Sequence, residues 1–280
     1  MATRKRPVFK PSRTPAGGGV VDTLGTLSLA MAFGVGAMLA VIGFAPAHWL
    51  AGPVTQATGG KVQVVNARGT VWKGQADVLL TGGLDSQDRA ALPGGVQWQL
   101  NPTWLGLSLL LNAPCCTPSG LSLSLQPGWG TLRVNAPAHQ SQWPAALLSG
   151  LGTPWNTLQL QGQLAFDTPG MSLEFSTRNL RSTGNATLEV RDAASRLSTV
   201  RPMGSYQLTW MSAGDGGRDA TLSLTTREGA LLLQGQGQWV AGRLRFEGDA
   251  QASPGREEAL ANLLNILGRR QGARTLIKIG

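Results

Sequence analysis

The 280-residue sequence predicts a mainly β fold, in which a single N-terminal transmembrane helix leads into an elongated, curved antiparallel β domain carrying one short and one C-terminal amphipathic helix. Three observations predict it. Glycine numbers 38 while charged residues make up only 14%, a balance of strands and turns rather than of helices. Runs of alternating apolar and polar residues recur between Gly and Pro breaks, at the spacing of an all-β domain. Ahead of them lies one long uncharged apolar stretch.

That stretch comes first in the chain. No charged residue occurs from Thr23 to Gly60, and Leu24 to Ala45 is mostly Leu, Ala, Val, Met, Phe and Gly. About 22 helical residues at ~1.5 Å each reach roughly 33 Å, the thickness of a bilayer's hydrocarbon core. Arg4, Lys5, Arg6, Lys10 and Arg13 precede it, so the positive-inside rule puts residues 1–22 in the cytoplasm and everything after Trp49 outside it. The expected organisation is a basic tail over 1–22, a transmembrane helix over 23–47, a linker over 48–60 and a β-rich domain over 61–280. Ala45-Pro46-Ala47 imitates a signal-peptidase site, which makes a cleaved signal peptide the rival reading. The apolar run is longer than the about 7–15 residues of a signal core, which favours a retained anchor.

The formal charge of +9 is concentrated at the ends. Residues 1–22 hold five cations against one anion, and residues 256–280 hold five against two. A nucleic-acid groove needs Arg and Lys clustered along a surface, and the nearly neutral middle excludes that partner.

Strand-like alternation is clearest in Leu121–Leu125, Leu158–Gln161, Leu222–Leu224 and Leu244–Phe246. Further strands are expected over 61–66, 70–80, 95–101, 104–112, 130–135, 171–177, 186–191, 204–210 and 229–240. The polar positions are mostly Ser, Thr, Gln and Arg, so each strand has one buried and one wet face, as antiparallel sheets do. L-Q-L-Q-G-Q at 158–163 echoes L-L-L-Q-G-Q at 231–236, a hint of equivalent bends. Two helices interrupt. Over 142–151, Trp143, Leu147 and Leu151 share a face. Over 254–267, Ser253 can cap, Pro254 suits the first position, and Gly268 stops the helix. Its stripe of Leu260, Leu263, Leu264 and Leu267 is expected to dock on the sheet, with a last strand at 274–279.

Little here supports chemistry. His48 falls at the membrane boundary and His139 in a Pro-containing loop, neither beside a nucleophile elbow or a persuasive carboxylate. Asp85/Asp88 and Asp215/Asp219 sit in Gly-flanked turns, where Asp supports turn geometry. No phosphate or dinucleotide fingerprint occurs, and no catalytic, metal-ligating or cofactor-binding residue is assigned. Cys115 and Cys116 are adjacent; in an oxidising compartment they form either a vicinal disulfide or two buried thiols.

Nine tryptophans stand against one tyrosine, and most are expected to pack in the core. R-G-T-V-W-K-G at 68–74 sets one of them between glycines, which mark bends and close backbone approach. A structural corner with Trp72 as its plug is the expected reading.

Together these residues carry a resemblance. G-T-V-W-K-G (Gly69, Thr70, Trp72, Gly74) followed by W-Q-L-N-P-T-W (Trp98, Pro102, Trp104) resembles the signature of type II secretion system protein N. The Cys115-Cys116 pair, the Pro202-x-Gly204-Ser205-Tyr206 loop and the closing helix are similar as well. The resemblance implies an inner-membrane protein with a periplasmic domain, serving a machine that exports folded proteins through an outer-membrane secretin. Its partners would be the secretin or the inner-membrane platform, and it brings no catalytic residue. The family is similar to AsmA-like envelope proteins, whose curved sheets leave an apolar groove. Lipid binding or transfer is therefore the alternative function.

Overall fold

The computed structural model describes residues 21–176, 180–212, 220–240 and 243–280. The chain divides into two compact units, Met1–Phe44 and Ala45–Gly280. In the first, α1 (Val21–Gly43) is one continuous helix whose side chains from Met31 onward are all exposed, Phe33, Met38 and Leu39 among them. Among the described residues, no helix is long and apolar enough to cross a membrane. The expected basic tail lies outside the described residues, apart from its last two positions in α1.

The second unit begins with a 3₁₀ turn (Ala47–Leu50) and α2 (Ala51–Ala57), which occupy most of the expected 48–60 linker. The Thr55 and Thr58 hydroxyls tie down its last turns, each donating 2.8 Å to the carbonyl four residues back. The sheet starts with β1 (Val62–Gly69), β2 (Lys73–Thr81), β3 (Arg89–Ala91) and β4 (Val96–Thr103). It continues through β5 (Gly106–Asn112), β6 (Leu121–Gly128) and β7 (Thr131–Pro144). After a 3₁₀ turn (Ala145–Leu151) and α3 (Trp155–Leu158) come the long β8 (Gln161–Ser176) and β9 (Leu180–Ala194). Then follow β10 (Gly204–Ser212), β11 (Ala220–Gly229), β12 (Leu231–Val240) and β13 (Arg243–Ala252). Helix α4 (Glu257–Leu267) precedes the closing hairpin of β14 (Arg269–Gln271) and β15 (Arg274–Ile279).

Among the described residues these strands form one 15-stranded antiparallel sheet. Its order follows the chain, except that β3 pairs with the end of β2 and β15 lies between β13 and β14. Leu121, Leu123 and Leu125 of β6 are half-buried while Ser122 and Ser124 are exposed, so the alternation does set one drier and one wetter face. In a meander, successive turns fall on opposite rims. One rim carries the tight turns at 70–72, 104–105 and 129–130. The other carries the longer connections at 82–95, 113–120, 145–160, 195–203 and 253–268.

Of the three buried clusters among the described residues, two sit by that second, packed rim. One gathers Leu92, Ala113, Cys116 and Leu147. The other gathers Leu260, Leu263 and Leu264 of α4 with Met203, Tyr206 and Leu231, while Leu267 is half-buried against it. Gly204, which opens β10 where a 202–206 loop was expected, lies against Gly229, and Tyr206 donates its hydroxyl 3.0 Å to the Leu231 carbonyl, across the intervening strand. Burial pushes that phenol's pKa well above its ordinary range.

Several local expectations are corrected. Gln142–Pro144 are not helical; pairing of Trp143 with Leu164 and Pro144 with Gln163 keeps them in β7, and the residues beyond form the 3₁₀ turn. Helix α4 starts three residues late, because Gly255 (φ +78°) breaks the chain into a turn. Arg256 occupies the cap position without a side-chain bond, so neither Ser253 nor Pro254 plays its expected part. The expected 70–80 strand contains a turn, and residues 158–160 precede β8. The echo is not structural either. Gly162 (φ +117°) sits at a bulge, whereas Gly235 pairs in register with Gly248 and lies beneath the ring of Phe246.

Leu263→Ala removes a fully packed side chain and is expected to destabilise the second unit by about 2–5 kcal/mol. Ile266→Ala, on the exposed face of the same helix, serves as the control and should shift the denaturant midpoint little.

Candidate functional site

The 68–74 stretch forms the β1–β2 turn. Gly69 (φ +90°) pairs with Gly74, a backbone conformation that L side chains rarely adopt. Thr70 N–H donates 2.9 Å to the Lys73 carbonyl, and Lys73 N–H donates 3.1 Å to the Thr70 hydroxyl, closing the turn. Gly74 also pairs with Trp98 of β4. A Cβ at Gly74 would stand 2.5 Å from Trp98 Cζ2 and 2.7 Å from the Arg68 carbonyl, so the indole rests directly on bare backbone. Trp98 Nε1 donates 3.0 Å to the Val71 carbonyl.

The plug of the corner is therefore Trp98, from the neighbouring strand, and not Trp72. Trp72 is half-buried, and its carbonyl accepts 2.6 Å from Leu100 N–H. The start of the unit is fastened to the same corner. Val71 N–H donates 2.8 Å to the Ala45 carbonyl, Pro46 bridges to Thr70, and Ala47 is buried with Ala76 and Trp98. Beside the corner lies a shallow groove of about 490 Å³, lined by Arg68, Lys73, Gln97, Gln99 and Trp98. Its lining contains no carboxylate, hydroxyl, thiol or imidazole.

From this corner β4 runs on to Pro102, exposed and paired with Leu107, and then to Trp104 at the hairpin tip. Trp104 is 103% exposed and Trp129, at the β6–β7 tip, 104%. These two are not core residues. Each occupies a tight turn with a glycine close by, where no neighbouring strand can cover it; that adjacency was the available signal.

The remaining candidates are structural. Cys115 and Cys116 are disulfide-bonded, in a turn held by Ala113 N–H donating 2.7 Å to the Thr117 hydroxyl and by Gln142 N–H donating 2.9 Å to the Cys116 carbonyl. His139 lies within β7 rather than a loop, buried opposite Thr168, with Nε2 unpartnered. Asp88 accepts 2.9 Å from Asn156 Nδ2, tying the β2–β3 connection to α3. Asp215 and Asp219 lie outside the described residues. No group of three or more His, Cys, Asp or Glu among the described residues is placed to hold a metal.

Gly74→Ala should displace Trp98 and cost about 1–3 kcal/mol in denaturant unfolding. Trp98→Phe keeps most of the ring but loses the bond to Val71, costing about 1 kcal/mol. Alkylation of the purified chain without prior reduction should leave its mass unchanged, and adducts should form only after reduction.

The family model of type II secretion system (T2SS), protein N, matches residues 60–277. Neither a curated protein nor a solved structure matches the chain. The matched span runs from the Gly69–Gly74 corner, through both exposed tryptophan tips and the paired cysteines, to α4 and most of β15. This chain belongs to the type II secretion system protein N family.

Proposed function

We propose that this chain is a non-enzymatic, inner-membrane-anchored component of the type II secretion system, whose periplasmic sheet assists assembly of the machine or export of folded proteins across the outer membrane. The family match over 60–277 carries the reading. The anchor is supported by α1, where apolar side chains from Met31 onward face outward on all sides, a surface that a helix keeps only in lipid or in a protein core. The basic residues before α1 give the orientation, N-terminus cytoplasmic.

Several ionisable side chains of the sheet are engaged with one another. Arg133 holds Glu174 at 2.6 Å and keeps that carboxyl below its ordinary pKa; Arg191 pairs with Glu189, and Lys278 with Glu247. What the fold offers a partner is edge. β14 covers β15 only along Arg274–Leu276, which leaves the outer side of Ile277–Ile279 for strand addition by a subunit of the secretin or of the inner-membrane platform. The lipid-carrying alternative has less support. A groove of about 980 Å³ across β11–β13 mixes Leu222, Leu224 and Phe246 with Gln234, Glu247 and Asp249.

Deletion of the gene should lower the amount of secreted enzyme in the medium, and unchanged export would count against the role. A tag at residue 1 should persist on the mature chain and stay with membranes through alkaline carbonate washing. A tag-free mature chain would identify a cleaved leader instead.

A further inference from the structure

We propose that the Trp104 and Trp129 hairpin tips insert into the headgroup layer of the bilayer that holds the anchor, giving the second unit its own membrane-contacting rim. The inference rests on the reading of α1 as the anchor.

Isolated exposed apolar side chains are ordinary, but this arrangement is a cluster. Trp104 and Trp129 are fully exposed and Leu105 is 75% exposed, on two hairpins made by consecutive strands. The tips are two strand spacings apart, about 10 Å, and lie on one rim. From Leu107 paired with Leu125, β5 runs back to the Trp104 tip and β6 forward to the Trp129 tip, so both project the same way.

The position of this rim identifies the occupant. The β1–β2 turn lies on it, two further strand spacings across and, with Trp72 level with Leu100, about four residues short of the Trp104 tip along the strands. That turn holds the first residues of the unit, through Val71 N–H to the Ala45 carbonyl and the Pro46–Thr70 bridge. Ala45 is joined covalently to Phe44, at the end of the apolar stretch. Ala45, where the apolar stretch is covalently joined to the second unit, therefore lies by this rim and not by the packed one.

The chemistry agrees. An indole joins a broad apolar ring to one N–H donor, and tryptophan concentrates where hydrocarbon meets headgroups. Among the described residues, Arg68, Lys73, Arg133 and Arg181 stand within three residues of strand ends at this rim, where Glu174 is the one carboxylate. That excess favours an anionic leaflet. A protein partner could also bury tryptophan, but nothing about such a partner requires the rim where the chain enters.

The test uses the full-length chain in nanodiscs of phosphatidylcholine and phosphatidylglycerol, with and without bromine on the acyl chains. It compares wild type with the Trp104→Phe/Trp129→Phe variant, whose substitutions lie at fully exposed tips and should leave far-ultraviolet circular dichroism unchanged. The wild-type minus variant emission reports the two tips alone. That difference emission should be lost in brominated discs and resist aqueous acrylamide. If it survives bromination and is quenched by acrylamide, the tips are in water and the proposal fails, leaving a protein partner to explain them. Failure of both proteins to co-purify with nanodiscs would instead refute the anchor, and the rim contact with it.

Discussion

A single sheet has two faces, and among the described residues this one has no second sheet to lie against. That constraint organises the second unit. Its apolar positions are covered piecemeal by short segments: Ala47 at the corner, the 3₁₀ turn with Leu147 over β2 and β3, and α4 over β10–β13. Each segment closes a separate small cluster instead of contributing to one large core. Backbone pairing runs unbroken from β1 to β14 and supplies the continuity that the core lacks.

Aromatic residues supply volume where the covering segments do not reach. Trp98 lies on the bare backbone of Gly74, and Phe246 lies across Gly235, Gly237 and Gly248. The pairing works in both directions. Glycine alone costs a strand side-chain packing, and a large ring alone needs a flat seat; a ring over glycine meets both needs. These contacts make Gly74 and Trp98 intelligible as sheet architecture.

Much of this was legible in the residues. Leu121–Leu125 alternates without interruption, so β6 and its orientation could be read directly, and Leu260, Leu263 and Leu264 fall at helical spacing wherever the helix begins. What could not be read depends on register and on neighbours distant in sequence. Trp72 and Trp98 look equally fit to fill the glycine corner. Only the pairing of Gly74 with Trp98 decides between them. Helical spacing at Trp143, Leu147 and Leu151 was real, yet pairing with β8 retained the first of these in β7. Gly255 shortened α4 by adopting a left-handed turn that the Ser253-Pro254 start signal conceals. Trp104 and Trp129 share the composition of buried tryptophans, and only their places in the turns separate them.

The near-identity of strand order in space and in the chain has a consequence for biogenesis. As the polypeptide lengthens from its N-terminus, most new strands meet a partner that has already been made, so the growing edge is always the most recent one. Little of the sheet must wait for a distant segment, which keeps loop-closure entropy low at each step. The exception is the last stretch, where β15 must return to β13 around α4. Completion of the apolar seal over β10–β13 therefore waits for α4 and β15, and a product truncated before them would carry an intact pleated ribbon with its oily end uncovered.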